Sequence, residues 1–93
     1  MREVVIAGTG LVRFNTYEEA HYVLSTEALR KALTDSGFSW REIQAAYCGS
    51  VYQGTGSGHQ ALREIGLTGI PIVNNEAACS SGAVAMMLGY QAI

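Results

Sequence analysis

The last quarter of the chain, from Ile70 to Ile93, restricts the fold more than any other stretch. Ile70, Ile72 and Val73 predict a short buried strand, with Pro71 tolerated only near its start or on a sheet edge. Asn74 to Ala78 then reads as a turn. From Ser80 onward, the run Ala83-Val84-Ala85-Met86-Met87-Leu88-Gly89-Tyr90-Gln91-Ala92-Ile93 has helical composition and no alternation. Gln91 is the only clearly polar side chain after Ser81, so the pattern predicts a helix covered on every side. Tyr90 within it needs a partner for its hydroxyl. A chain of 93 residues makes at most one small domain, which buries only about 60% of its surface and does not easily cover such a helix all round. No Gly, Asn or basic residue follows Ile93 as a stop signal. Residues 1–93 are therefore expected to be the N-terminal piece of a longer protein.

Cys79 falls where the strand gives way to the helix, on the expected first helical turn. Unpaired backbone N–H groups and the positive end of the helix dipole lie close to such a position. Cysteines at helix N-termini ionise more readily, and the thiolate is the nucleophile. The small neighbours Ala77, Ala78, Ser80, Ser81 and Gly82 leave room for a substrate to approach. Cys79 is the candidate catalytic residue on these grounds, against the commoner fate of a lone cysteine among small residues, which is inert burial.

The remainder of the chain alternates strand and helix signals. Val4-Val5-Ile6-Ala7 is a continuous apolar run suited to a central strand buried on both faces. Gly8-Thr9-Gly10 ends it as a tight turn; a dinucleotide-binding Gly-x-Gly-x-x-Gly fails because Arg13 stands at the third glycine position. Thr16-Tyr17-Glu18-Glu19 is a capping-box signature, opening a helix that runs to Ser36 and stops at Gly37. Tyr22, Leu24, Ala28, Leu29, Ala32 and Leu33 form its apolar face; Thr26, Glu27, Arg30, Lys31 and Thr34 form the other. Glu27 and Lys31 are spaced to pair. Ser39-Trp40-Arg41-Glu42 is a second capping box on a short turn. Ala45 to Tyr52 reads as the second strand, with Cys48 inside it as small core packing. Gln53-Gly54-Thr55-Gly56-Ser57-Gly58 is a glycine-rich loop, but His59 and Gln60 follow where a phosphate-binding loop needs Lys and Ser or Thr. A short helix from His59 to Ile65 completes the pattern. His21 is a possible acid or base, but with no partner in sight it reads as a solvated residue, and His59 has no motif support as a catalytic residue. Three strands with intervening helices give an α/β unit. A disulfide pair of Cys48 with Cys79 stays open, because distance is not legible in sequence.

Composition narrows the function classes. Six basic and eight acidic residues, net −2, leave no basic footprint for nucleic acid or an anionic membrane. The terminal apolar run is shorter than the ~20 residues a membrane span requires, and no leader pattern opens the chain. Two cysteines are too few for a disulfide framework, which points to a reducing cytoplasm and to no export. No metal site is indicated.

Asn74-Asn75-Glu76-Ala77-Ala78-Cys79-Ser80-Ser81-Gly82, after a hydrophobic strand and before an apolar helix, resembles the nucleophile segment of the thiolase family, closest to its bacterial branch near the sterol-carrier-protein-type thiolases. Arg2 to Phe14 and Ile43 to Gly54 resemble the same family in the same order, so the likeness runs the length of the chain. Cys-Ser-Ser-Gly departs from the commoner Cys-Ala-Ser-Gly, one small residue for another. The resemblance implies that residues 1–93 are part of the N-terminal domain of a layered α-β-α-β-α fold. It implies an acyl-CoA acyltransferase of the acetyl-CoA C-acyltransferase class, in which Cys79 carries the acyl group as a thioester. Coenzyme A thioester would be substrate, with no cofactor held permanently, and the full-length protein a homo-oligomer, dimer or tetramer. In the family the activating histidine, the oxyanion-binding residues, the second cysteine and the coenzyme-A-binding loop lie downstream of this segment. Cys48 does not match the second cysteine's motif, and the isolated segment is expected to turn over little. Two other readings are compatible with the residues. One is a thiolase-like aldolase or condensing subunit working with a partner protein; the other is a non-catalytic α/β module binding nucleotide or a partner through the glycine-rich loop.

Overall fold

A computed structural model describes residues 2–93. The elements in chain order are α1 (His21–Ser36), a 3₁₀ turn (Trp40–Glu42), β1 (Ala46–Gly49), α2 (Ser57–Arg63), β2 (Ile72–Asn75) and α3 (Ser81–Ala92). The two strands pair in parallel, with Ala46 opposite Ile72 and Gly49 opposite Asn75. Alternation along a strand sends successive side chains to opposite faces, and each face receives a helix. Cys48, Ile72 and Asn74 face α2, where a Cβ on Gly58 would lie 2.8 Å from Cys48 Cβ and 2.7 Å from Asn74 Oδ1. Tyr47 and Gly49 face α3, the Tyr47 ring beneath Gly89 and the Gly49 backbone beneath Ser81. α1 packs on the outside of α2. The chain is thus a helix–sheet–helix sandwich, which fits the α/β class.

Local signals place several boundaries. Gly37 has φ 76° and its N–H donates to Leu33 O, the left-handed stop expected of a glycine after α1. Ser39 N–H donates to Glu42 Oε2 at 3.0 Å, the reach-back half of a capping box. Glu27 and Lys31 pair at 3.4 Å across one turn of α1. The other expected cap does not form: α1 starts at His21 without a side-chain cap, and Thr16 N–H bonds to Asn15 Oδ1 instead.

Two expectations are corrected. Among the described residues the sheet has two strands, not three, because Val4–Ala7 pairs with neither. A strand buried on both faces needs a neighbour along its edge, and this segment instead approaches α1; Val5 and Ile6 stay exposed. Gly8-Thr9-Gly10 is a docking strip rather than a turn. A Cβ on Gly8 would lie 2.6 Å from Ala32 O, and one on Gly10 would meet Ala28 O, so the glycines bring backbone onto the small face of α1. Thr9 N–H donates to Asp35 Oδ2 and Lys31 Nζ to Leu11 O, fastening the strip. α3, as expected of a helix that 93 residues do not cover all round, is covered on one side: Gly89 meets the sheet, while Met86, Met87 and Tyr90 are exposed. The sheet supplies one contact layer, and a helix apolar all round uses only the face that meets it.

The buried set is small and partly polar. Ala61 and Leu62 are the buried apolar residues, while Thr26, Ser57 and Ser81 are buried polar ones. Thr26, assigned by periodicity to the outer face of α1, points at α2 and donates to Ala61 O at 3.0 Å. A cavity of about 510 Å³ lies beside β1, lined by Leu29, Leu33, Trp40, Ala46, Leu62 and Ala85 among others.

Glycine contacts and the buried threonine give measurable expectations in the full chain. Gly49→Ala drives a Cβ into the Ser81 carbonyl and is expected to destabilise by about 1–3 kcal/mol, whereas Gly82→Ala meets nothing within 4 Å and should be neutral or gain up to about 1 kcal/mol of helix propensity. Denaturant unfolding of the pair distinguishes contact from flexibility. Thr26→Val should cost about 1 kcal/mol by the same measurement, since Ala61 O keeps the N–H of Glu64.

Candidate functional site

The site grows from the turn between β2 and α3. Ser80 N–H donates to Ala77 O and Ser81 N–H to Ala78 O, so two tight turns precede the helix. Cys79 therefore sits just ahead of α3 rather than on its first turn, with Ser80 as N-cap. Ser81 tightens the arrangement: its Oγ accepts from Ala77 N–H at 2.8 Å and donates to Ala78 O at 2.7 Å. Ser80 Oγ donates to Ala77 O, and Glu76 Oε2 accepts from Ala78 N–H at 2.5 Å. These bonds hold Ala78 at φ 50°, the one non-glycine positive φ among the described residues. A left-handed alanine costs roughly 1–2 kcal/mol, and such strain persists only where the surroundings impose it, commonly at functional sites. Its effect is to present Cys79, which is exposed and free.

Asn75 ties the turn to the sheet. Its Nδ2 donates to Ser81 O at 2.9 Å, while its Oδ1 is buried with no partner. An orphan acceptor of this kind costs about 1–3 kcal/mol, so the end of β2 beneath the cysteine is held by polar geometry at some expense.

A cleft of about 530 Å³ opens here, at the carboxyl ends of the two parallel strands. Open α/β sheets place ligands in this position. Ala78, Cys79, Ser81 and Gly82 line it from the turn and α3, and Cys48 to Gln53 from the end of β1 and its loop. His21, Leu24 and Ser25 complete it from the first turn of α1. Among the described residues no lysine or arginine lines the cleft.

Cys79 and Cys48 thus reach one cleft, as free thiols on different elements. Cys48 faces α2, its Sγ 3.7 Å from Ser57 Oγ, and Ser57 is bonded to Ser50 at 2.8 Å. The segment carrying Cys79 leads into α3 on the opposite face of the sheet. Cys48, expected as small core packing, is only half-buried and borders the cleft instead. The glycine-rich loop shows positive φ at Gly54 and Gly56 and feeds α2, whose start is fixed by Gly58 N–H donating to Asn74 Oδ1 at 2.6 Å. With that oxygen occupied, Asn74 Nδ2 meets His59 Nδ1 at 3.0 Å, giving His59 a structural partner. His21, expected to be solvated, is half-buried, set edge-on to Tyr22 and lines the cleft, which nothing in its neighbouring sequence signals. Among the described residues no group of three His, Cys, Asp or Glu side chains can hold a metal ion, and no helix is long and apolar enough to cross a membrane.

Known proteins resemble this chain along nearly all of it. It is 36% identical over 94 residues to sterol carrier protein 2 of Bos taurus, 97% of this chain and 17% of that protein. It is 36% identical over 92 residues to benzoylsuccinyl-CoA thiolase subunit BbsB of Thauera aromatica, 97% of this chain and 24% of that one. Acetyl-CoA acetyltransferase of Methanocaldococcus jannaschii is 33% identical over 92 residues, 92% of this chain and 24% of the relative. The chain spans about a quarter or less of the length of these relatives. No protein-family model matches it. Carried by these identities and by a cysteine presented between β2 and α3, the chain is a segment of the thiolase family, of the sterol-carrier-protein-2 type.

Proposed function

We propose that this chain carries the nucleophile of an acyl-CoA acyltransferase, with Cys79 as the acyl carrier. The observation that supports this best is the exposed thiol at the tip of a strained turn, bordering an open cleft at the carboxyl ends of parallel strands. In the reaction the Cys79 thiolate attacks the carbonyl carbon of an acyl-CoA. The carbon–sulfur bond to coenzyme A breaks, its thiolate leaves, and the acyl group is held as a cysteine thioester. A second nucleophile, a carbanion or a thiolate, then takes the acyl group and returns the cysteine. Backbone N–H groups at the start of α3 are suited to the negative oxygen that develops on the carbonyl. A thiolate is a competent nucleophile near neutral pH, while a serine hydroxyl in its place would require a strong base beside it.

Names of relatives support the coarser reading of a coenzyme-A-related or lipid-related role: one is an acetyltransferase of acetyl-CoA, one a thiolase subunit, and others sterol carrier proteins. In this proposal acyl-CoA is substrate rather than a resident cofactor, the residues that activate Cys79 lie outside residues 1–93, and the full-length protein assembles as a homo-oligomer in the cytoplasm.

The full-length protein incubated with acetyl-CoA is expected to gain one acetyl group on Cys79, read by mass spectrometry of peptides. Cys79→Ala should remove the adduct and lower turnover by at least ~10³-fold. An acyl adduct on another residue, or one that survives Cys79→Ala, overturns the assignment. Turnover unchanged in Cys79→Ser would instead favour a thiolase-like aldolase or condensing subunit, in which the thiol is dispensable.

A further inference from the structure

The cleft beside Cys79 is larger than an acetyl group needs, and one of its walls comes from outside the turn that carries Cys79. A cavity of ~150 Å³ is enough to bind benzene, and this cleft holds about 530 Å³. The added wall comes from far along the chain: His21, Leu24 and Ser25 on the first turn of α1, joined by Val51 and Gln53 after β1. Its chemistry is mixed. Leu24 and Val51 offer apolar surface, while His21, Ser25 and Gln53 offer hydrogen-bonding groups.

Three details give this wall a definite character. Among the described residues no lysine or arginine lines the cleft, so it has no fixed cation for the phosphates of coenzyme A, and the acyl end of the substrate is the part that suits it. The Ser25 hydroxyl proton is committed to His21 O at 3.0 Å, which leaves the oxygen as an acceptor. The His21 ring is held edge-on to Tyr22, centroids 5.7 Å apart at 86°, so a half-buried polar ring is kept at the cleft by its own helix turn.

We propose that the first turn of α1 selects the acyl group delivered to Cys79, admitting bulky acyl groups that carry a hydrogen-bonding function beyond the thioester. This inference rests on the acyl-transfer reading of Cys79. Leu24 sets the size that is admitted and His21 the polarity; both are specificity-determining, and neither takes part in bond making.

The test uses the full-length protein and two independent readouts. In the first, acylation of Cys79 is followed by mass spectrometry with acetyl-CoA, benzoyl-CoA and 4-hydroxybenzoyl-CoA in competition. Leu24→Trp narrows the cleft and is expected to reduce benzoyl relative to acetyl transfer by about tenfold or more, the scale on which apolar pockets discriminate. His21→Ala is expected to lower the ratio of hydroxybenzoyl to benzoyl transfer, read in competition within the same variant. In the second readout, Cys79 is alkylated by iodoacetamide and by N-benzyliodoacetamide. Leu24→Trp should slow the benzyl reagent alone, and His21→Trp serves as the narrowing variant if Leu24→Trp fails to unfold cooperatively. Donor and reagent ratios that match wild type in both narrowing variants overturn the inference while leaving acyl transfer on Cys79 intact. Reagent ratios that respond in a protein that accepts no acyl group from any donor leave the selecting wall standing and remove the acyltransferase reading.

Discussion

The contact of Gly49 with Ser81 is the constraint on which the rest depends. α3 crosses β1 so closely that the Ser81 carbonyl occupies the place a side chain on Gly49 would take. The same carbonyl accepts from Asn75 Nδ2 on the neighbouring strand, and the Ser81 hydroxyl closes the turn behind it through Ala77 and Ala78. One small buried residue thereby joins both strand ends, the turn and the helix. The geometry fixes where Cys79 stands before any substrate is considered. Each bond is worth only about 1 kcal/mol net, yet several converge on five residues, which is how a left-handed alanine costing 1–2 kcal/mol is kept in place.

Reactivity follows from what that arrangement leaves out. The residues around Cys79 are alanine, serine and glycine, so the thiol stands clear of bulk, and among the described residues the cleft beside it lacks fixed positive charge. A site built for phosphate would gather N–H groups and a lysine; the glycine-rich loop that resembles one in sequence instead starts α2, with the Gly58 N–H turned to Asn74.

The features that sequence reveals and those it conceals divide by the range of the forces involved. Gly37, the Ser39–Glu42 pair, the Glu27–Lys31 pair and the passage from β2 through a turn to α3 depend on residues a few positions apart, and each is present. The position of Cys79 between strand and helix is legible the same way, displaced by only a short step from the helix it precedes. The reading fails where a distant element decides. Thr26 looks like an outer-face residue until α2 supplies an acceptor for its hydroxyl. Val4–Ala7 has the composition of an inner strand, but composition does not provide the neighbour that a strand must pair with. His21 is near the cysteine's cleft only because α1 folds back over the sheet end, and no periodicity in its own helix records that.

The glycines show why the open cleft and the close packing arise together. Gly8, Gly10, Gly49 and Gly58 each sit where a Cβ would strike backbone or a neighbouring side chain. Elements joined by backbone contact approach more nearly than elements joined through leucine or phenylalanine, and they need less apolar volume between them. The molecule accordingly buries few large side chains and fixes its layers with Thr26, Ser57 and Ser81. Hydrogen bonds are directional where apolar packing is not. A layer held this way keeps its registration even where the space beside it is unfilled. The cleft at Cys79 can remain open for that reason: its walls are positioned by bonds behind them, not by contact across it.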